Sequence, residues 1–282
     1  MESGDEVLAV LRTDSKSRVQ FQKRFGKRLR LVLLDMSEYG ELHRHVEACD
    51  YFVHLAWDGT RGEARLDTTI QEKNYRGSMV ALQSAFRMGA KAFVSAGSQA
   101  EYGQQSGVVN EETPSMPFSA YGKYKWQFYQ EAVPLCIRHG VKLYEPRFFS
   151  LYGKGDFPGT MIISTIGKMM RNEECPFTDC RQMWNYLHVW DAMNGVAHLL
   201  HTEAPTGIYN FGSLDTRRLR SYIEEMAKLT DTKSPLNFGV VPHNDSGKEG
   251  IQPDVGKLLA TGWQPKISFA EGIREIMKSW GD

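Results

Sequence analysis

The sequence predicts an α/β protein built on a doubly wound parallel sheet, with a smaller C-terminal α/β lobe. Short apolar runs recur through the first half of the chain, closed by polar or turn residues. Runs of that length suit strands covered on both faces. Longer stretches with helical spacing lie between them, and this alternation is what parallel strands joined by crossover helices require.

The strands are expected at residues 7–11, 29–34, 51–56, 92–95 and 141–149, and the helices of this half at 38–48, 71–88 and 118–139. After Tyr152 the texture changes. Gly153, Gly155, Pro158 and Gly159 mark a loop, followed by helical stretches at 160–170, 191–201, 219–229 and 269–280 and short strands at 185–189 and 208–211. The expected division is a doubly wound α/β region over 1–152 and a smaller lobe over 153–282, interleaved with it. No internal repeat or low-complexity tract is visible.

Composition narrows the function. The 282 residues are 41% hydrophobic and 24% charged, ordinary for a globular chain with a core of its own. The 34 basic and 34 acidic residues cancel, whereas nucleic-acid and anionic-membrane binders usually carry a basic excess. The cluster 23–28 is therefore expected to be a solvated loop. Cys49, Cys136, Cys175 and Cys180 form no C-x-x-C pair, so free thiols are expected, not a zinc or redox site. His43, His45 and His54 are not spaced to converge on a metal. The acidic start lacks an apolar signal core, and no run reaches the roughly 20 apolar residues of a membrane helix. The cytoplasm is the expected compartment.

Chemistry concentrates in residues 118–125, Phe-Ser-Ala-Tyr-Gly-Lys-Tyr-Lys. Tyr121 and Lys125 stand four apart on a predicted helix and share a face, and Ser119 is placed to cap it. A free tyrosine titrates near about 10; an ammonium one turn away favours the phenolate and brings the phenol into use as an acid/base. Such a pair alone is common. Upstream, however, lies Phe93-Val94-Ser95-Ala96-Gly97-Ser98-Gln99-Ala100-Glu101-Tyr102-Gly103, a strand ending in small hydroxylated residues. Ligands of open α/β sheets bind at such carboxyl ends.

Here the sequence resembles the extended short-chain dehydrogenase/reductase superfamily, in its NAD(P)-dependent epimerase/dehydratase branch acting on nucleotide sugars. Further matching pieces are Val53-His54-Leu55-Ala56, Asn74-Tyr75-Arg76-Gly77, Pro146-Arg147-Phe148-Phe149-Ser150-Leu151-Tyr152-Gly153, Asn185-Tyr186-Leu187-His188-Val189-Trp190-Asp191, Ile208-Tyr209-Asn210-Phe211-Gly212 and Gly262-Trp263-Gln264-Pro265. The resemblance implies a Rossmann-like fold and a homodimer formed through the helix carrying Tyr121 and its neighbour. It implies Tyr121 as catalytic acid/base, Lys125 as its partner and a cofactor-ribose ligand, and Ser98 as the hydroxyl that orients the substrate, Ser95 lying deeper in its strand. Asp35 matches the contact to the adenine edge, Leu55 and Ala56 the strand end under the cofactor diphosphate, and Asn74 a support of the catalytic strand. Phe148 matches a position near the nicotinamide and Ser150 one near the substrate diphosphate. Arg181 and Trp184 fall where the nucleotide binds, a core tryptophan being the alternative for Trp184.

The sequence also departs from the family. The glycine-rich turn that cradles the cofactor diphosphate at a helix N-terminus is not among these residues. The first strand corresponds to the family's second, so about 25–30 residues of a complete dinucleotide fold are missing, and an interrupted sheet, poor folding and poor cofactor affinity are expected. Where NAD enzymes end the second strand in an acid, this chain has Leu11-Arg12-Thr13. Arg12, with Lys16 and Arg18, suits a 2′-phosphate, the alternative being a solvated basic loop; NADP(H) is favoured and NAD(H) possible. The family's dehydratases carry Thr-Asp-Glu where Ser98-Gln99-Ala100 stands, which disfavours 4,6-dehydration. Reduction of a 4-keto-sugar nucleotide, with spacing that resembles CDP-abequose-synthase-like reductases, and C4 epimerisation of a UDP-hexose both remain, as does a non-catalytic dinucleotide sensor.

Overall fold

The computed structural model describes residues 4–15, 17–25, 29–242 and 250–280. The chain divides into two compact units, Met1–Ser95 with Ser119–Leu143, and Ala96–Phe118 with Tyr144–Asp282.

In chain order the elements of the first unit are β1 (Val7–Leu11), α1 (Ser17–Phe25), β2 (Leu29–Leu33), a 3-10 helix (Met36–Arg44), β3 (Tyr51–His54), a second 3-10 helix (Gly62–Arg65), α2 (Thr68–Arg87) and β4 (Ala92–Ser95). Those that follow are β5 (Gly97–Ser98), a one-turn 3-10 helix (Gln99–Glu101), β6 (Gly107–Val109), α3 (Ala120–His139, in the first unit), β7 (Lys142–Phe148), β8 (Ser150–Tyr152), α4 (Met161–Met170), β9 (Cys175–Pro176), β10 (Met183–His188), α5 (Val189–His201), β11 (Gly207–Phe211), β12 (Thr216–Arg218), α6 (Leu219–Thr230), β13 (Leu236–Asn237), β14 (Ile251–Pro253), α7 (Gly256–Leu259) and α8 (Phe269–Lys278).

The first unit holds two parallel strand pairs. β1 lies beside β2 with Val7 opposite Leu29, and β3 beside β4 with Tyr51 opposite Ala92. Among the described residues the two pairs share no ladder. Helices α2 and α3 close one face, where Ala81, Leu82, Ala85, Phe93, Phe128 and Ala132 are buried, with Val10 and Phe52 packed against them. α2 starts on Asp67, whose carboxylate accepts from the Thr69 and Ile70 N–H groups. α3 starts on Ser119, whose hydroxyl accepts from the Gly122 N–H at 3.2 Å, as its position predicts, and stops at Gly140 in the left-handed conformation.

In the second unit β7 is flanked by two parallel partners, β5 (Ser98 opposite Phe148) and β11 (Phe211 opposite Phe148). β8 pairs with β10, and β10 with antiparallel β12. Ile162, Ile166, Met169, Tyr222, Ile223, Phe269 and Ile273 form its main core between α4, α6 and α8.

Two expectations are corrected. The strands were expected to be covered on both faces; β4 is, but Tyr51, Val53 and Leu55 stay exposed. The helices of this unit cover only the face to which Phe52 and His54 belong. The basic cluster was expected to be a loop, yet Ser17–Phe25 is helical, because its charged residues are fair helix formers. Lys16 and residues 26–28 of that stretch lie outside the described residues. Among the described residues no helix is long and apolar enough to cross a membrane, and no His, Cys, Asp or Glu cluster could hold a metal ion. All four cysteines are free.

Candidate active site

In the first unit, Tyr121 stands on the first turn of α3, and Lys125 one turn further along the same face. Both are buried, at 8% and 5% exposure. The Lys125 Nζ lies 5.3 Å from the centroid of the Tyr121 ring and 3.9 Å from that of Trp57. Trp57 in turn meets Tyr121 edge-on, with centroids 6.1 Å apart and planes at 88°. Arg65 closes the group, its guanidinium carbon 4.4 Å above the Tyr121 ring.

Trp57 and Arg65 sit on the segment that follows the carboxyl end of β3, and two buried amides of α2 hold it. Asn74 accepts from the Asp58 N–H at 2.9 Å and donates to the Asp58 carbonyl at 2.8 Å. Gln71, fully buried, accepts from the Trp57 indole N–H at 2.6 Å and donates to the carbonyls of Gly59 (3.0 Å) and Ala64 (2.9 Å). Gly59 has φ +65°, and a Cβ there would meet the Gln71 amide at 2.9 Å, so the turn needs glycine.

Behind this group lies His54, whose Nε2 is 2.9 Å from the Ser78 hydroxyl. That hydroxyl spends its one proton on the Asn74 carbonyl at 2.8 Å, so His54 must donate from Nε2. Burial, helped by the charge of Lys125, pushes the His54 pKa down to about 3; the imidazole is neutral and structural.

The cofactor candidates of the first unit fall at the carboxyl ends of β1, β2 and β3. Arg12 is exposed and reaches Asp58 at 3.3 Å and Asp14 at 3.7 Å. The Thr13 hydroxyl donates to Asp35 at 2.8 Å, and the Asp35 N–H donates to Glu38 at the start of the first 3-10 helix. Leu55 is half exposed and Ala56 partly so.

The second unit holds the rest. Ser98 is buried, its hydroxyl accepting from the Ala100 N–H at 3.2 Å and its own N–H donating to Glu101 at 2.7 Å. Glu101, Glu145 and Arg147 form a fully buried charge cluster: Arg147 reaches Glu101 at 3.3 Å and Glu145 at 3.1 Å, and stacks 4.5 Å from the Tyr102 ring. Burial first, and the neighbouring Glu101 charge second, raise the Glu145 pKa. The Tyr102 hydroxyl donates to Asn210 at 2.6 Å, and Asn210 donates to the Val109 carbonyl. Phe148 lies edge-on to Phe211 at 5.2 Å. Ser150 is opposite Tyr186. Trp184 is half buried against the core of this unit, 6.2 Å from Tyr186, and Arg181 is exposed beside Asp179.

The structure thus gathers Tyr121, Lys125 and Asn74 in the first unit, and brings Ser98 and Phe148 opposite each other in the second. Trp57, Arg65, Gln71 and Glu101 were not singled out from the sequence. The spacing of Ser98 and Glu101, S-x-x-E, is a capping-box signature that would have linked those two.

Parallel strands with helical crossovers, and a buried Tyr-x-x-x-Lys pair beside a strand-end segment, define an α/β protein of the dinucleotide-binding kind. The NAD dependent epimerase/dehydratase family pattern matches residues 1–212, and the chain belongs to that family of enzymes. It is 21% identical to UDP-N-acetyl-alpha-D-glucosaminuronate decarboxylase of Bacillus cytotoxicus, over 93% of this chain and 86% of that protein. Its fold matches UDP-glucose 4-epimerase of Thermus thermophilus, solved with NAD (TM-score 0.84, 20% identity, 99% of this chain and 92% of that one). It also matches RMD of Pseudomonas aeruginosa, solved with NADPH (TM-score 0.80, 21% identity, 98% and 99%).

Proposed function

We propose that this enzyme reduces the keto group at C4 of a nucleotide-linked deoxysugar, with NADP(H) as the favoured dinucleotide. The observation that carries this is the buried Tyr121–Lys125 pair, walled by Trp57 and Arg65 on a segment that α2 holds rigid.

The residues at the strand ends fit a dinucleotide. Asp35 and Thr13 offer a carboxylate and a hydroxyl to ribose and base edges, Ala56 permits close approach, and Leu55 presents an apolar surface. Arg12 suits a 2′-phosphate: its ion pairs are exposed and weak, so the guanidinium is available to a ligand. When bound, the reduced nicotinamide supplies a hydride to C4.

The chain's own residues handle the proton. The Tyr121 hydroxyl donates to the C4 oxygen as that oxygen gains charge, so ketone, hydride and proton together give the alcohol. The Lys125 ammonium stabilises the phenolate left behind and is assigned to the cofactor ribose. Ser98 is assigned the role of the hydroxyl that orients the substrate, as the resemblance implies. Ser150, Phe148, Arg181 and Trp184 are assigned to the nucleotide sugar and nicotinamide, as the resemblance implies. Gln99 and Ala100 provide no carboxylate for eliminating water, which favours reduction over dehydration.

The test is to mix the enzyme with NADPH or NADH and a panel of 4-keto-6-deoxysugar nucleotides and follow the loss of reduced-nicotinamide absorbance. Tyr121→Phe should abolish turnover and keep nucleotide-sugar binding. Turnover that survives Tyr121→Phe overturns the acid/base assignment. Interconversion of UDP-hexoses with no net cofactor consumption would make the enzyme a C4 epimerase instead, and dinucleotide binding without any turnover would make it a sensor.

A further inference from the structure

Arg65 has no part in the roles assigned above. It ends the 3-10 helix Gly62–Arg65 and is half buried. One of its guanidinium nitrogens donates to the Thr60 carbonyl at 3.3 Å, and the guanidinium carbon stands 4.4 Å over the Tyr121 ring. Among the described residues no carboxylate lies within ion-pair distance of it, so its charge is not cancelled locally. A guanidinium does not lose its proton in a protein. It is therefore a permanent cation against the face of the proposed acid/base.

The surroundings were built to keep it there. Gln71 and Asn74 are both buried, and their amides bond to Trp57, Asp58, Gly59 and Ala64, every anchor lying on the segment that ends in Arg65. Lys125 approaches from α3. His54, on β3, is neutral at working pH. Asp58 shares the held segment and is paired with Arg12 from the end of β1, and Glu63 is exposed on the same 3-10 helix as Arg65. Of these groups, Arg65 and Lys125 are the ones that stand against the Tyr121 ring itself.

We propose that Arg65 is a positioning residue that acts through Tyr121, a second fixed cation that stabilises the tyrosinate as the proton moves, held in place by the Gln71–Asn74 clamp. A cation over a neutral ring is attracted by its quadrupole; once the phenol is ionised, Coulomb attraction is added. The contact strengthens as the proton leaves, which is the condition for speeding the step. The inference rests on the assignment of Tyr121 as the acid/base.

Two measurements test it. In the first, the tyrosinate absorbance of the protein without ligands is titrated for the parent and for Arg65→Gln, each with and without Tyr121→Phe, so that each difference isolates Tyr121. The expected result is a shift of that titration to higher pH by about one unit in Arg65→Gln, roughly tenfold in the ionisation constant, with Arg65→Lys recovering most of it. An unmoved titration overturns the proposal. In the second, kcat for ketone reduction is followed against pH. Loss of the cation lets Tyr121 keep its proton to higher pH, so the alkaline limb should move upward, while kcat near neutrality falls about tenfold and the dinucleotide KM is unchanged. A fall in rate with an unmoved limb also overturns it. Turnover that survives Tyr121→Phe would instead sink the acid/base assignment, and the absorbance titration keeps the two failures apart.

Discussion

Asn74 closes both backbone bonds of Asp58: the carboxamide oxygen accepts its N–H at 2.9 Å and the amide donates to its carbonyl at 2.8 Å. Asp58 lies just beyond β3, where an edge N–H and carbonyl would otherwise be left to water. The clamp turns a strand-end segment into a fixed support for Trp57 and Arg65.

Asn74→Ala removes one donor and one acceptor at a site only 2% exposed. It should cost about 1 kcal/mol, the order of a net hydrogen bond, since water can reach the backbone of exposed Asp58 once the amide is gone. Urea denaturation measures that loss. The rate should fall by more than the stability change implies, because Trp57 and Arg65 lose their register against Tyr121. Asn74→Asp keeps the acceptor for the Asp58 N–H but sets a carboxylate against the Asp58 carbonyl, so it should fare no better than alanine. A variant of parent-like stability and rate would show that the segment holds its shape unaided.

His54 gives the protein an acid limit. Its folded pKa is depressed from the ordinary 6.5 to about 3, so between those values the unfolded chain binds a proton that the folded chain does not. The stabilisation is fully present above about pH 6.5 and declines as pH falls toward 3, by about 1.4 kcal/mol per unit from this one group. His188, whose pKa burial also lowers, contributes in the same direction. The measurement is the urea midpoint at a series of pH values for the parent and for His54→Gln. The variant should be less stable at neutral pH, having lost the Ser78 bond, yet should lose stability more slowly on acidification. Parallel pH profiles would place the acid limit elsewhere.

Much of this was legible in the sequence. The fold class followed from apolar runs alternating with helical spacing, and the strand 92–95 and the pair Tyr121–Lys125 could be placed because both signals are local. Ser119 could be named as a cap for the same reason: capping needs only the next three residues. What escaped notice depends on contacts distant in sequence. Gln71 looks like a helix-surface glutamine until the segment 57–64 folds over it. Arg65 looks like one more charge in a polar stretch until α3 brings Tyr121 beneath it. Neither periodicity nor spacing carries that information. The exposed face of β3 escaped for a different reason. A continuous apolar run predicts burial on both sides, but its helices cover only one.

The buried cluster Glu101–Arg147–Glu145 makes the last prediction, since it contains two carboxyls and one guanidinium at no more than 2% exposure. One cation can compensate one carboxylate. Glu145 has its pKa raised by burial and by Glu101, which favours its protonated form, while the Glu101 carboxyl accepts from the Ser98 N–H. The two acids should then respond differently to the same change. Glu145→Gln replaces a neutral acid by a neutral amide of like shape and should cost less than about 1 kcal/mol. Glu101→Gln leaves Arg147 with the Glu145 carboxyl alone, 3.1 Å away, and Arg147→Met takes the cation from the cluster. Each should cost about 3–5 kcal/mol, the usual penalty for breaking one side of a buried ion pair. Gly97 makes the site intolerant of expansion as well, because a Cβ there would lie 2.8 Å from Glu145 and 3.1 Å from both Arg147 and Glu101. Denaturation midpoints of the three variants decide the matter. Equal losses for Glu101→Gln and Glu145→Gln would mean that the proton is shared between the two acids, whereas the predicted asymmetry locates it on Glu145 and leaves a fixed anion beneath the turn that presents Ser98.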